Sequence, residues 1–269
     1  MSLLGMEAKQ VREPLRSVAV ENMSLLNRNA KTGDIEPSRK KSDAEGFLIP
    51  VVLLVLMVMI VMMGAAPMVN SVAEDKIQRV FEMLLASATP LELIAGKVLA
   101  SVGCSLTGSV FYVVGGILAL QGVAMLGAVN FALLPWFFLY LILQVTILSS
   151  MGAALGAACS TPRDAQSLTQ FIVLPVMAPL MVFLPIIQQP NGLFATAFSF
   201  FPPFTPLVMM LRQATPGGVP AWQPWVGLIG ILLWTAAVTW GASRIFRVAI
   251  LMQGQPPSVA ELLRWAVRG

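Results

Sequence analysis

Apolar residues in this chain do not alternate with polar ones; they run in long blocks separated by short polar stretches. Strongly apolar runs cover residues 47–69, 93–120 and 134–158, with others at 170–187 and 225–243. A hydrocarbon core of about 30 Å needs about 20 residues of helix, whereas a buried helix in a water-soluble core needs about 10–14. These runs therefore predict transmembrane helices. The run at 170–187 holds Pro175, Pro179 and Pro185 and is expected to be broken. A further apolar segment, 193–211, contains Pro202, Pro203 and Pro206. Irregular backbone at membrane depth must be buried or wet, so this segment is expected to enter the outer leaflet and return as a re-entrant or external helical hairpin. Trp136, Trp222 and Trp225 fall at span ends, where amphipathic rings prefer the interface.

Between the first two runs the pattern changes to a helical period. Ile77, Val80, Phe81, Leu84 and Ala88 make one apolar stripe, and Glu74, Asp75, Lys76, Gln78, Arg79 and Glu82 occupy the other face. Asp75 and Arg79 stand at a favourable i,i+4 spacing. Thr89-Pro90-Leu91-Glu92 then restarts a helix, with Thr89 as N-cap, Pro90 at the first helical position and Glu92 closing a capping box. The expected element is an amphipathic cytoplasmic helix, a sharp turn and the start of the second span. It serves either as a surface anchor or as a lever that presents charge to a partner. Similar punctuation at Thr161–Asp164 opens the fourth span, and Ser258–Glu261 opens a tail helix at 262–267. Gly152 and Gly156 form a GxxxG read as packing within the chain rather than a dimer seam.

Composition agrees with a bilayer. Apolar residues make up 57% and charged residues 11%, where a soluble domain carries about 25%. The fold class is thus an all-α integral membrane protein of about five transmembrane helices, the hairpin and the amphipathic helix. Residues 1–46 hold much of the charge and form a polar, water-exposed lead-in; 47–243 form the membrane domain and 244–269 a tail. If 193–211 does not cross, one side carries Lys76, Arg79, Lys97, Arg163, Arg244, Arg247, Arg264 and Arg268, against Arg212 alone in the loops of the other. This positive-inside bias places the C-terminus in the cytoplasm and the lead-in outside.

The chemistry that the sequence excludes is also informative. The basic residues are dispersed or sit beside spans, which argues against nucleic acid. Cys104 and Cys159 read as small buried hydrophobes, and histidine is absent. Gly96-Lys97 ends like a phosphate loop, but Leu91 and Val98 stand where glycine and Ser/Thr belong. Metal ligands, paired aspartates and ionisable relays are missing from the spans, so no enzyme, cofactor or ion-coupled carrier is expected.

Three ordered motifs carry a family likeness. The run 71–97, with SVAEDK, Arg79, EMLLAS, TPLEL and GK in order, resembles the permease subunits of ABC type-two exporters, nearest to those described as sodium-efflux permeases. FPPFTPLVMMLR at 201–212 is similar to the family's external helical segment, and RIFRVAILMQGQPPSVAELLRW at 244–265 to its cytoplasmic tail. The resemblance implies a six-span permease half, paired with a second copy and driven by separate cytoplasmic ABC ATPase subunits. It assigns ATPase coupling to Glu74, Asp75, Lys76, Arg79 and Glu82, with Thr89 and Glu92 fixing the turn, and the external segment to Pro202, Pro203, Pro206 and Arg212. A first span and outer domain are expected ahead of residue 47, so this chain reads as the C-terminal part of such a permease, with the lead-in a remnant of that domain. The reading left beside transport is a non-transporting membrane component or assembly factor.

Overall fold

The computed structural model describes residues 43–78, 80, 89–122 and 131–251, together with 27–28 and 35–36. Residues 1–42 and 43–269 form separate compact units. In the first, β1 (Asn27–Arg28) pairs antiparallel with β2 (Ile35–Glu36), Asn27 opposite Glu36. In the second, every element among the described residues is a helix.

It opens with α1 (Asp43–Ala65) and α2 (Pro67–Ile77), joined at Ala66. Pro67 cannot donate to the carbonyl of Met63, yet Ala66 N–H still reaches the Met62 carbonyl at 3.2 Å, so the two helices form one kinked rod. The first span thus continues as helix to Ile77, beyond the residue 69 at which the apolar run ends. Val69, Val72 and Ala73 are buried there. The rod is followed by α3 (Pro90–Gly122), α4 (Leu133–Ala158) and α5 (Pro162–Met181). Then come α6 (Phe183–Gln188), α7 (Leu193–Ser199), α8 (Thr205–Ala214) and α9 (Trp222–Leu251).

Among the described residues four helical stretches are long and apolar enough to cross a membrane: Gly46–Ile77, Glu92–Leu118, Leu133–Ala158 and Trp222–Ala249. The fourth predicted run straddles α5 and α6, which meet at Val182. Pro175 and Pro179 lie inside α5, and Ile172, Val176, Pro179 and Ile186 are buried, so one face of this broken path is covered by protein while Phe171, Leu174 and Met181 are exposed. Apart from the two-residue β1–β2 pair, the described residues make this an all-α membrane protein.

Helix α4 is its mast, packing against α1, α2, α3, α5, α8 and α9. Of its apolar stretch 67% is buried, against 17% for α3, which faces outward along most of its length. Cys104 on α3 is exposed, correcting the expectation that it is buried, whereas Cys159 is buried.

Helices α4 and α9 run parallel. Trp136 meets Trp225 edge-on at 5.0 Å near their starts, and Ser150 and Thr239 hydroxyls pair at 3.3 Å midway. The rod α1–α2 runs the same way, since Gly152 lies over Met68 and Gly156 over Val72. Hence α2, α4 and α9 end, and α3 and α5 begin, at one end of the bundle, the charged end.

The opposite, hairpin end holds α6 to α8. At 1.5 Å per residue α7 and α8 measure about 10 Å and about 15 Å, too short to cross. Their turn reaches the middle of α4, where Gln144 Nε2 donates to the Pro203 carbonyl at 3.4 Å. The segment therefore enters and returns. Every residue of α8 from Thr205 to Arg212 is buried. The turn into α9 passes through Gly217 (φ +101°) and Gly218 (φ +62°), where a side chain would be strained.

Candidate functional site

The charged end collects the partial charges of five helix termini. Three C-termini present carbonyls with no helical partner, and two N-termini present free N–H groups. The N-termini carry reciprocal caps. Thr89 N–H donates to Glu92 Oε2 at 2.8 Å, and Glu92 N–H donates back to Thr89 Oγ1 at 3.4 Å. Thr161 N–H donates to Asp164 Oδ2 at 3.0 Å, and Asp164 N–H to Thr161 Oγ1 at 3.2 Å. Each cap satisfies end N–H groups of its helix and fixes where that helix leaves the surface. The local signals at 89–92 and 161–164 thus correspond to real helix starts.

The C-termini need a cation, and α2 supplies it. Lys76 Nζ donates to the Ala157 carbonyl at 2.5 Å and to the Ala249 carbonyl at 2.8 Å. These lie in the last turns of the parallel helices α4 and α9, whose negative dipole ends would otherwise face each other. Its neighbour Asp75 accepts from Lys97 Nζ at 2.6 Å, and Lys97 also donates to Ser71 Oγ at 2.8 Å, which ties α2 to α3. Glu74 points outward, within 3.4 Å of Gln78 Nε2. Glu74, Gln78, Asn70 and Ile77 line a groove of about 340 Å3 whose other wall is Pro162 and Ala165 of α5. The acidic and basic positions expected to act together therefore separate: Glu74 faces out, while Asp75 and Lys76 engage the bundle. Arg79, Glu82 and the tail helix at 262–267 lie outside the described residues.

Gly152 and Gly156 face α2. A Cβ on Gly156 would fall 2.5 Å from the Val69 carbonyl oxygen and 2.8 Å from Val72 Cβ, so this approach requires glycine. The glycine pair thereby seats the very helix that carries Asp75 and Lys76.

At the hairpin end, Arg212 is fully buried. Its Nε donates to the Pro190 carbonyl at 2.6 Å, Nη1 to Ser199 Oγ, and Nη2 to Thr196 Oγ1 at 3.2 Å and Gln223 Oε1 at 2.8 Å. Burial lowers its pKa, but arginine starts so high that it stays charged. It rivets α8 to α7, to the turn after α6 and to the start of α9. Pro206 is buried in the first turn of α8, Pro203 offers its carbonyl to Gln144, and Pro202 is half-buried in the turn. The partners of Arg212, Lys76 and Lys97 had no local signature; only the isolation of Arg212 between Asp164 and Arg244 marked it as unusual.

Comparison with known proteins fits this architecture. The pattern of the ABC-2 family transporter protein matches residues 4–245. The chain belongs to the ABC-2 transporter family. Among similar proteins are the uncharacterized protein YhaP of Bacillus subtilis and the uncharacterized protein MJ1024 of Methanocaldococcus jannaschii. YhaP is 27% identical over 93% of this chain and 63% of its own length. MJ1024 is 27% identical over 66% of this chain and 44% of its own length. The chain thus spans less than two thirds of these relatives. No solved structure matches it. As an ABC-2 family member it is a membrane component of a transporter family.

Proposed function

We propose that this ABC-2 protein is the membrane subunit of an ATP-driven exporter, forming the translocation path with a second permease copy or a further span and worked by a separate cytoplasmic ATPase. The observation that carries the reading is the rod α1–α2: one helix runs from a membrane span to Ile77, and the chain returns through the capped start of α3 into the next span. A partner that pushes on the end of α2 must tilt both spans, which is how a soluble motor can move a pore that lacks charges of its own. The outward Glu74, with Arg79 and Glu82 farther along the sequence, offers the docking face, and Thr89 and Glu92 fix the start of α3. The basic residues at the charged end favour a cytoplasmic position for that end and for the C-terminus.

The test is co-purification with a co-expressed cytoplasmic ABC ATPase, using a triple reversal of Glu74, Arg79 and Glu82. Normal expression with lost ATPase binding is the expected result. Undiminished binding and transport would reduce the segment to a surface anchor and favour a non-transporting membrane component.

A further inference from the structure

We propose that Asp75 and Lys76 are positioning residues that fasten the end of α2 to three other helices, so that movement of α2 is passed to α3, α4 and α9 together. The inference deepens the coupling reading above but assigns these two residues a different role from docking.

The argument starts from helix polarity. Parallel α4 and α9 bring two carbonyl-rich ends to one place, each carrying about half a negative charge. Among the described residues neither helix has a basic residue in its own last turn. Lys76, from a third helix, donates to one carbonyl of each. A lysine has three donors on a compact charge and can serve two acceptors at once, which suits a point shared by two helix ends. One residue earlier, Asp75 holds Lys97 of α3. Adjacent helical residues project about 100° apart, so a single step along α2 reaches α3 on one side and the α4–α9 pair on the other. Gly156 keeps the rod close enough for Lys76 to reach, because a side chain there would collide with Val69 and Val72. Both residues are half-buried, where such contacts are less screened than on an open surface.

A partner could not use Asp75 and Lys76 without first breaking these contacts. The exposed Glu74 and Gln78 remain for docking. Force delivered to them is then divided by two fixed links, one to α3 and one to the α4–α9 pair.

The test is hydrogen–deuterium exchange of the full chain in lipid nanodiscs, alone and with its ATPase. Lys76→Met is expected to raise exchange about tenfold in the last turns of α4 and α9 together, although they are far apart in sequence, and to leave the start of α3 unchanged. Asp75→Asn should do the opposite, loosening the first turns of α3 alone. With ATPase bound, ATP should alter protection at the α4 and α9 ends of the wild type. Lys76→Met should retain the ATPase but lose that response. Lys76→Gln, which keeps a donor without the charge, gives the same readings if the methionine variant does not accumulate. Unchanged protection at both helix ends in a folded Lys76 variant would overturn the proposal. So would loss of ATPase binding with the helix ends still protected, which would make Lys76 a docking residue. If the wild type itself binds no ATPase, the coupling reading fails, whereas exchange in the isolated chain still decides the fastening.

Discussion

Lys97 Nζ lies 2.6 Å from Asp75 Oδ2, joining the last turn of α2 to the second turn of α3 across a loop of the charged end. The side chains are 25% and 29% exposed, so the pair is neither open to full solvent screening nor deeply desolvated. Lys97→Met is expected to cost about 1 kcal/mol, near the upper end for partly exposed pairs. The charge-swapped double variant Asp75→Lys with Lys97→Asp should recover much of the loss in thermal-shift measurements. Purely additive losses would show that the two residues do not act as a pair.

Gly156 and Gly103 make a matched contrast. Gly156→Ala forces a Cβ against the backbone and side chains of α2, and overpacking of this kind costs about 1–3 kcal/mol. Gly103→Ala meets nothing within 4 Å and removes the entropic handicap of glycine, worth up to about 1 kcal/mol in a helix interior. Melting of the two variants should therefore move in opposite directions. Equal destabilisation would contradict the packing described.

Arg212→Met removes the donor shared by Pro190, Ser199, Thr196 and Gln223. Buried acceptors left without a donor cost about 1–3 kcal/mol each when no water replaces it, so a large loss of stability is expected. Arg212→Lys should rescue little, because a single ammonium cannot span the guanidinium fork. Expression yield and protease sensitivity of the hairpin would report the effect. Wild-type resistance in Arg212→Met would remove the rivet from the account.

Topology has a direct check. In a background without Cys104 and Cys159, cysteines at positions 87 and 258 should resist an impermeant reagent applied to intact cells, whereas a cysteine at Asn191 should label. Labelling at 87 and 258 from outside would invert the orientation proposed from the basic residues.

Much of this molecule was legible locally. The apolar runs located the crossing helices because exposed backbone and charge are both costly in hydrocarbon. The Thr89–Glu92 and Thr161–Asp164 boxes located two helix starts because a cap involves residues three positions apart. The proline cluster in 193–211 pointed to a segment that cannot cross as one straight helix. Other features depended on which helices become neighbours. The first span continues through Ile77 although its apolar run ends earlier, because Val72 and Ala73 find α4 and α5 to pack against. A charge pattern cannot disclose that Asp75 holds Lys97, nor that Lys76 reaches two helix ends. Those contacts require α4 and α9 to lie parallel with α2 beside them, a relation set by side-chain packing across the bundle and carried by no single stretch of the chain.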